Sequence, residues 1–205
     1  MQQGVRQIYI VIALIFIFLI GAQYDKYLNT KELENAKALY DKGKYASAVE
    51  AFKGLAEMGD AEARFYLADM FYGGEGIQQD YVQAASWYQR AAEQGHINAQ
   101  FNLASLYLIG KGVKQSFVEA SKWYRRAADQ GDAEAQTNLA VMYFKGEGVK
   151  QDRVQAYRWL VIAGMQGFRR AEEYRQIVAQ RLTNEQIAEG QRLSQGWKPQ
   201  TRIKP

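Results

Sequence analysis

The feature that most restricts what this chain can fold into is a phrase repeated three times at a spacing of 36 residues: YGGEGIQQD at 72–80, LIGKGVKQS at 108–116 and FKGEGVKQD at 144–152. Aligned without a gap, blocks 96–131 and 132–167 agree at seventeen of 36 positions, whereas residue frequencies alone give about 6%. Block 60–95 falls into the same register. Ala63, Ala99 and Ala135 align, as do Leu67, Leu103 and Leu139, and Trp87, Trp123 and Trp159. Gly95, Gly131 and Gly167 close the units. A period of roughly 20–50 residues marks a supersecondary unit that buries its apolar face only by stacking on its neighbours.

Each block splits into two helices. Ala63, Leu67, Met70 and Phe71 lie at i, i+4, i+7 and i+8, which is one face of a helix. Ala84, Trp87, Tyr88, Ala91 and Ala92 form a second stripe. The alanines let the paired helices approach closely, and the aromatics fill the space beside them. Asp80…Gln83, Ser116…Glu119 and Asp152…Gln155 are spaced as capping boxes for the second helix. Asp60 and Asp132 cap the first, and His96 occupies their column as a capping variant. Gly74, Gly110 and Gly146 sit where the first helix must end, because glycine tolerates the positive φ that stops a helix. A phosphate-binding loop needs a preceding strand and a Gly-Lys-Ser/Thr ending, and neither is written here. The glycine phrase recurs because the hairpin recurs.

Composition narrows the chemistry. The absence of cysteine from 205 residues excludes disulfides, thiolate metal sites and cysteine nucleophiles. The single histidine rules out a two-histidine metal cluster within one subunit. No cofactor, metal or small-molecule substrate is expected. The acidic residues follow helical surface spacing, and no carboxylate pair stands out as an acid–base dyad. Net charge is +4, and residues 168–205 account for it with eight Arg or Lys against four Glu. A neutral body with a mildly basic end argues against nucleic acid, which calls for a dense basic stripe.

The amino terminus reads differently. Residues 8–22, YIVIALIFIFLIGA preceded by Ile8, carry no charge and span roughly 22 Å as a helix, or about 25 Å if extended to Tyr24. Arg6 precedes the run, and Tyr24 and Tyr27 follow where interfacial aromatics sit. An uncleaved signal-anchor over 8–24 competes with a signal peptide cleaved after Ala22, against which Ile20 stands where a small residue is preferred. A core helix apolar on every face has no use in a small domain. The anchor is the preferred reading, with local bilayer thinning meeting its length. A first span usually inserts with its tail inside. Although Lys26, Lys31, Lys37 and Lys42 follow it, the expected location is therefore the bacterial inner membrane, single-pass, with the body in the periplasm.

The columns A-x-A-Q-x-x-L-A-x-x-Y-x-x-G-x-G-V-x-Q-[DS]-x-x-x-A-x-x-W-[YL] resemble the Sel1-like repeat, a relative of the tetratricopeptide repeat. Three full units cover 60–95, 96–131 and 132–167. Residues 25–59 hold a linker and a shorter tetratricopeptide-like hairpin with Gly43-Lys44-Tyr45 as its turn. Residues 168–197 resemble closing helices, with Thr183…Gln186 a further capping box. Residues 1–7 and 198–205 are tails, the latter expected to fray. In the last unit Leu160, Val161 and Ile162 replace Tyr-Arg-Arg, an apolar surface that needs the closing helices as its cover. The resemblance implies an all-α, right-handed α-solenoid of stacked antiparallel hairpins preceded by one transmembrane helix. It also implies a concave face lined by the first helices.

On that face the resemblance places Phe65, Asp69 and Tyr72 in the first unit, with Glu62 and Tyr66 beside them. The second contributes Asn98, Phe101, Asn102 and Ser105, and the third Glu134, Asn138 and Val141. Asn102 and Asn138 fall in the column where peptide-binding relatives hold a ligand backbone amide. Phe65 and Phe101 form an apolar floor or, alternatively, pack between units. Aromatic anchors beside amides suit a partner helix or extended segment. The expected function is a membrane-anchored scaffold for a protein partner in assembly, regulation or quality control. The competing class is a cell-wall or β-lactam-acting hydrolase. Disulfide-rich members of the family have been associated with β-lactam binding, and the cysteine pairs that define them are missing here.

Overall fold

The computed structural model of the protein describes residues 28–200, so the apolar segment over 8–24 and residues 201–205 lie outside the described residues. Ten helices and no strand occur among the described residues. Helix α1 covers 28–41 and pairs with α2 (Tyr45–Glu57) through the Gly43 turn. The repeats supply three hairpins, α3 (Ala61–Gly73) with α4 (Tyr81–Glu93), α5 (Ile97–Ile109) with α6 (Phe117–Asp129), and α7 (Ala133–Lys145) with α8 (Arg153–Met165). Helices α9 (Arg169–Ala179) and α10 (Asn184–Ser194) close the stack. Packing runs between chain neighbours, the mark of a solenoid, with α10 returning onto α8 and α9 onto α7. No helix among the described residues is long and apolar enough to cross a membrane.

The glycine joint has three working parts. Gly74, Gly110 and Gly146 adopt φ of 75°, 72° and 77° and donate their N–H to Met70, Leu106 and Met142, ending the first helix. Gln79, Gln115 and Gln151 then reach back with Nε2 to the carbonyls of Tyr72, Leu108 and Phe144 at 2.8, 2.9 and 2.8 Å. These bonds satisfy last-turn acceptors that the helix itself leaves open. The second glycine has a separate purpose. A Cβ on Gly112 would overlap the Tyr81 carbonyl, and one on Gly148 would overlap that of Phe117, so each loop lies directly against the second helix of the preceding hairpin.

Caps follow the sequence with one difference. Asp60, Asp132, Asp80, Ser116 and Asp152 all accept backbone N–H bonds. Among the described helices only Thr183 and Gln186 close the reciprocal box, so the other three spacings work as single caps. His96 caps α5 by accepting the Ala99 N–H on Nδ1 at 3.2 Å. With Nδ1 accepting, the proton sits on Nε2, which faces Glu62 Oε2 at 3.1 Å. Burial holds the His96 pKa below its ordinary value, in keeping with a neutral capping ring.

Repeats are also tied by buried amides. Gln100 and Gln136 donate to the carbonyls of Ala92 and Ala128, both at 3.0 Å, and accept from Gln130 and Gln166 at 2.7 and 2.8 Å. Arg64 fills the same column and donates to Ala56 at 2.9 Å.

Leu160 and Ile162 are buried in a core that includes Ala171 and Val178 of α9, with Leu182, Ile187 and Trp197 packed against it. Trp197 meets Trp159 edge-on at 6.3 Å, and Arg158 donates to the Leu193 carbonyl at 3.1 Å. The expected fraying does not begin at residue 198. Gln200 donates its N–H to the Asp129 carbonyl at 2.8 Å, and Pro199 lies against Gly131, because the glycine turn leaves room and an open acceptor there.

Candidate functional site

Four of the residues expected on the partner face converge. Asp69 and Tyr72 of α3 and Asn102 and Ser105 of α5 line one cavity of about 290 Å³, together with Tyr88 of α4 and Leu106 and Ile109 of α5. Tyr72 and Ile109 form an exposed rim, at 37% and 58% exposure. Tyr88 is buried and donates its hydroxyl to Asp69 Oδ1, and Asn102 Nδ2 donates to the same oxygen at 3.3 Å. The expected ligand-holding Asn102 is therefore already engaged between units.

The next repeat builds the same network from weaker groups. Ser105 and the buried Tyr124 share a hydrogen bond of 2.9 Å, and Asn138 also bonds Tyr124. In the third unit the corresponding positions are Val141, Leu160 and Tyr174. Along the stack the first of these columns therefore runs from Asp69 through Ser105 to Val141.

The remaining candidates sit apart from the cavity. Phe65 stacks on His96 at 4.5 Å and meets Tyr66 edge-on at 5.7 Å, while Phe101 meets Tyr124 edge-on at 5.6 Å. Both rings are half-buried against the core, so they do not make a shared floor. Packing between elements takes up their apolar surface. Asn98 is exposed beside His96, Gln130 and Gln200 in a different groove. Glu134 is exposed in the first turn of α7, with Asn138 and Val141 half-buried further along. Nearby, Glu62 links Lys37 at 3.0 Å to His96. Burial would raise the Glu62 pKa, but the bonds from Lys37 and His96 outweigh it and hold the carboxyl below its usual range.

Tyr88, Leu106 and Ile109 were not expected at the site. A signal for Tyr88 exists: a buried tyrosine hydroxyl needs a partner, and Asp69 precedes Tyr88 by the same 19 residues that separate Ser105 from Tyr124.

Burial pushes the Asp69 carboxyl up to about 6 from 3.8, against the lowering effect of its bond from Tyr88. A raised carboxyl pKa means that ionisation opposes folding. Its contribution is most favourable below pH 3.8 and is lost as pH rises through about 6. Asp69→Asn, which mimics the neutral form, is accordingly expected to raise stability at pH 7.5 by roughly 1–3 kcal/mol. Urea denaturation at a series of pH values checks this, with the gain shrinking below about 6 and absent near 3.8.

Among the described residues no group of three His, Asp or Glu side chains is placed to hold a metal. The Sel1 repeat family model matches residues 61–96, 97–132 and 133–168. The solved Sel1 repeat protein from Oxalobacter formigenes is 33% identical with a TM-score of 0.68, over 72% of this chain and 62% of that protein's length. The protective antigen c5321 of uropathogenic Escherichia coli strains, which displays an SLR fold, is 30% identical over 77% of this chain and 45% of its own, with a TM-score of 0.48. No curated protein matches the chain.

Proposed function

This chain belongs to the Sel1 repeat family, and we propose that it is a scaffold that holds a protein partner along the first helices of its repeats. We place it in the bacterial inner membrane, anchored by residues 8–24, with the repeats on the periplasmic side. The observation that carries the scaffold reading is the cavity between α3 and α5, where Asp69, Tyr72, Asn102 and Ser105 meet behind an exposed apolar rim. A largely apolar recess with a few fixed polar groups suits an anchoring side chain of a partner segment. The membrane placement is supported by the uncharged run over 8–22 and by Arg6 before it.

Photo-crosslinking in native membranes tests the reading, with the crosslinker at Ile109 on the rim and a control at the exposed Gln89. A protein captured from position 109 and not from 89 is the expected result. Equal capture from both positions, or capture only from 89, contradicts it. The mass of the mature protein checks the anchor. An intact chain is expected, and loss of residues 1–22 would make it a soluble periplasmic or secreted protein. The hydrolase alternative predicts turnover of chromogenic β-lactams or peptidoglycan that a point mutation abolishes.

A further inference from the structure

Asp69 is the only acidic member of its repeat column, since Ser105 and Val141 take the equivalent places. Both hydrogen bonds that it accepts among the described residues fall on Oδ1, which leaves Oδ2 with its acceptor capacity. Asp69 lines the cavity whose other walls include Tyr72, Leu106 and Ile109. At about 290 Å³ the space lies at or below the roughly 300–1,000 Å³ of small-molecule sites, which favours one long side chain. Local chemistry favours a cation. Glu75 adds negative potential at Asp69. Outside the rim, the chain's own Lys111 already sits over the rings of Tyr72 and Tyr81, at 4.8 and 3.9 Å from their centroids.

We propose that this cavity receives a lysine or arginine side chain of the partner, its stem lying along Leu106 and Ile109 and its charged head meeting Asp69. This rests on the scaffold reading above and gives the partner a chemistry. Long basic side chains bury their methylenes against apolar walls while the head finds a charged acceptor. Burial also opposes ionisation of Asp69, the kind of local conflict that binding sites accommodate.

The test is selection of random displayed peptides on the full-length chain in detergent, followed by affinity measurements on variants. Selected peptides are expected to carry a lysine or arginine. Their affinity should fall at least tenfold on Asp69→Asn, a variant expected to melt no lower than the parent, and equally when that basic residue becomes norleucine. Peptides that lose affinity on Ile109→Lys but ignore Asp69→Asn, or that carry no basic residue, would overturn the cation slot and leave the scaffold reading standing. Peptides indifferent to both variants would overturn the two together.

Discussion

Replacing Gly112 by alanine is expected to destabilise the protein by roughly 3–5 kcal/mol, combining a left-handed backbone conformation with overpacking. Gly112 has φ of 72°, and a Cβ there would overlap the backbone carbonyl of Tyr81. Backbone cannot rotate away as a side chain can, so the loop and the start of α6 must shift together. Gly43 provides the control. Its φ is 69° and nothing lies within 4 Å of an added Cβ, so Gly43→Ala should cost only about 1 kcal/mol. The difference between the two variants, read from urea midpoints at constant m-value, isolates the contact between hairpins. If Gly112→Ala costs no more than Gly43→Ala, the loops do not hold neighbouring hairpins at the described distance.

Trp159→Ala should cost roughly 3–5 kcal/mol, and more than the same change at Trp123 or Trp87. The three tryptophans share a column but not an environment. Trp159 is 1% exposed under Trp197, and Trp123 is 8% exposed beneath the Arg126 guanidinium. Trp87 is half-buried, with Arg90 over its ring at 4.5 Å. Truncating Trp159 therefore leaves the largest cavity at the point where the closing helices seat. Equal losses at all three sites would contradict that grading.

Much of the fold was legible because it repeats locally. The 36-residue period, the helix-stopping glycines and the capping column that includes His96 each depend on a few neighbouring residues. The closing helices were legible too, from the apolar run Leu160–Ile162 that needed covering. What escaped the sequence depends on how one hairpin sits on the next. Gly112 against Tyr81, the Gln130–Gln100 amide pair and Gln200 on Asp129 all join residues 30 or more positions apart. The cavity between α3 and α5 was read in part for the same reason. The family resemblance put Asp69, Tyr72, Asn102 and Ser105 on one face, but it gave no sign that Phe65 would be covered by His96 from the next unit. The exposed Ile109 shares its column with Gly73 and Lys145, and only the seating of α5 on the α3–α4 hairpin brings it to the cavity rim.

The most direct measurement is the affinity of the crosslinked partner for two purified single variants, Ile109→Lys and Val118→Lys. Both positions are exposed, at 58% and 50%, so neither substitution disturbs the core. Ile109 rims the cavity on the first helices, whereas Val118 lies on α6 in the second row. A loss of at least tenfold with Ile109→Lys and none with Val118→Lys is the predicted result. The reverse pattern would place the working surface on the second helices and contradict the partner site proposed between α3 and α5.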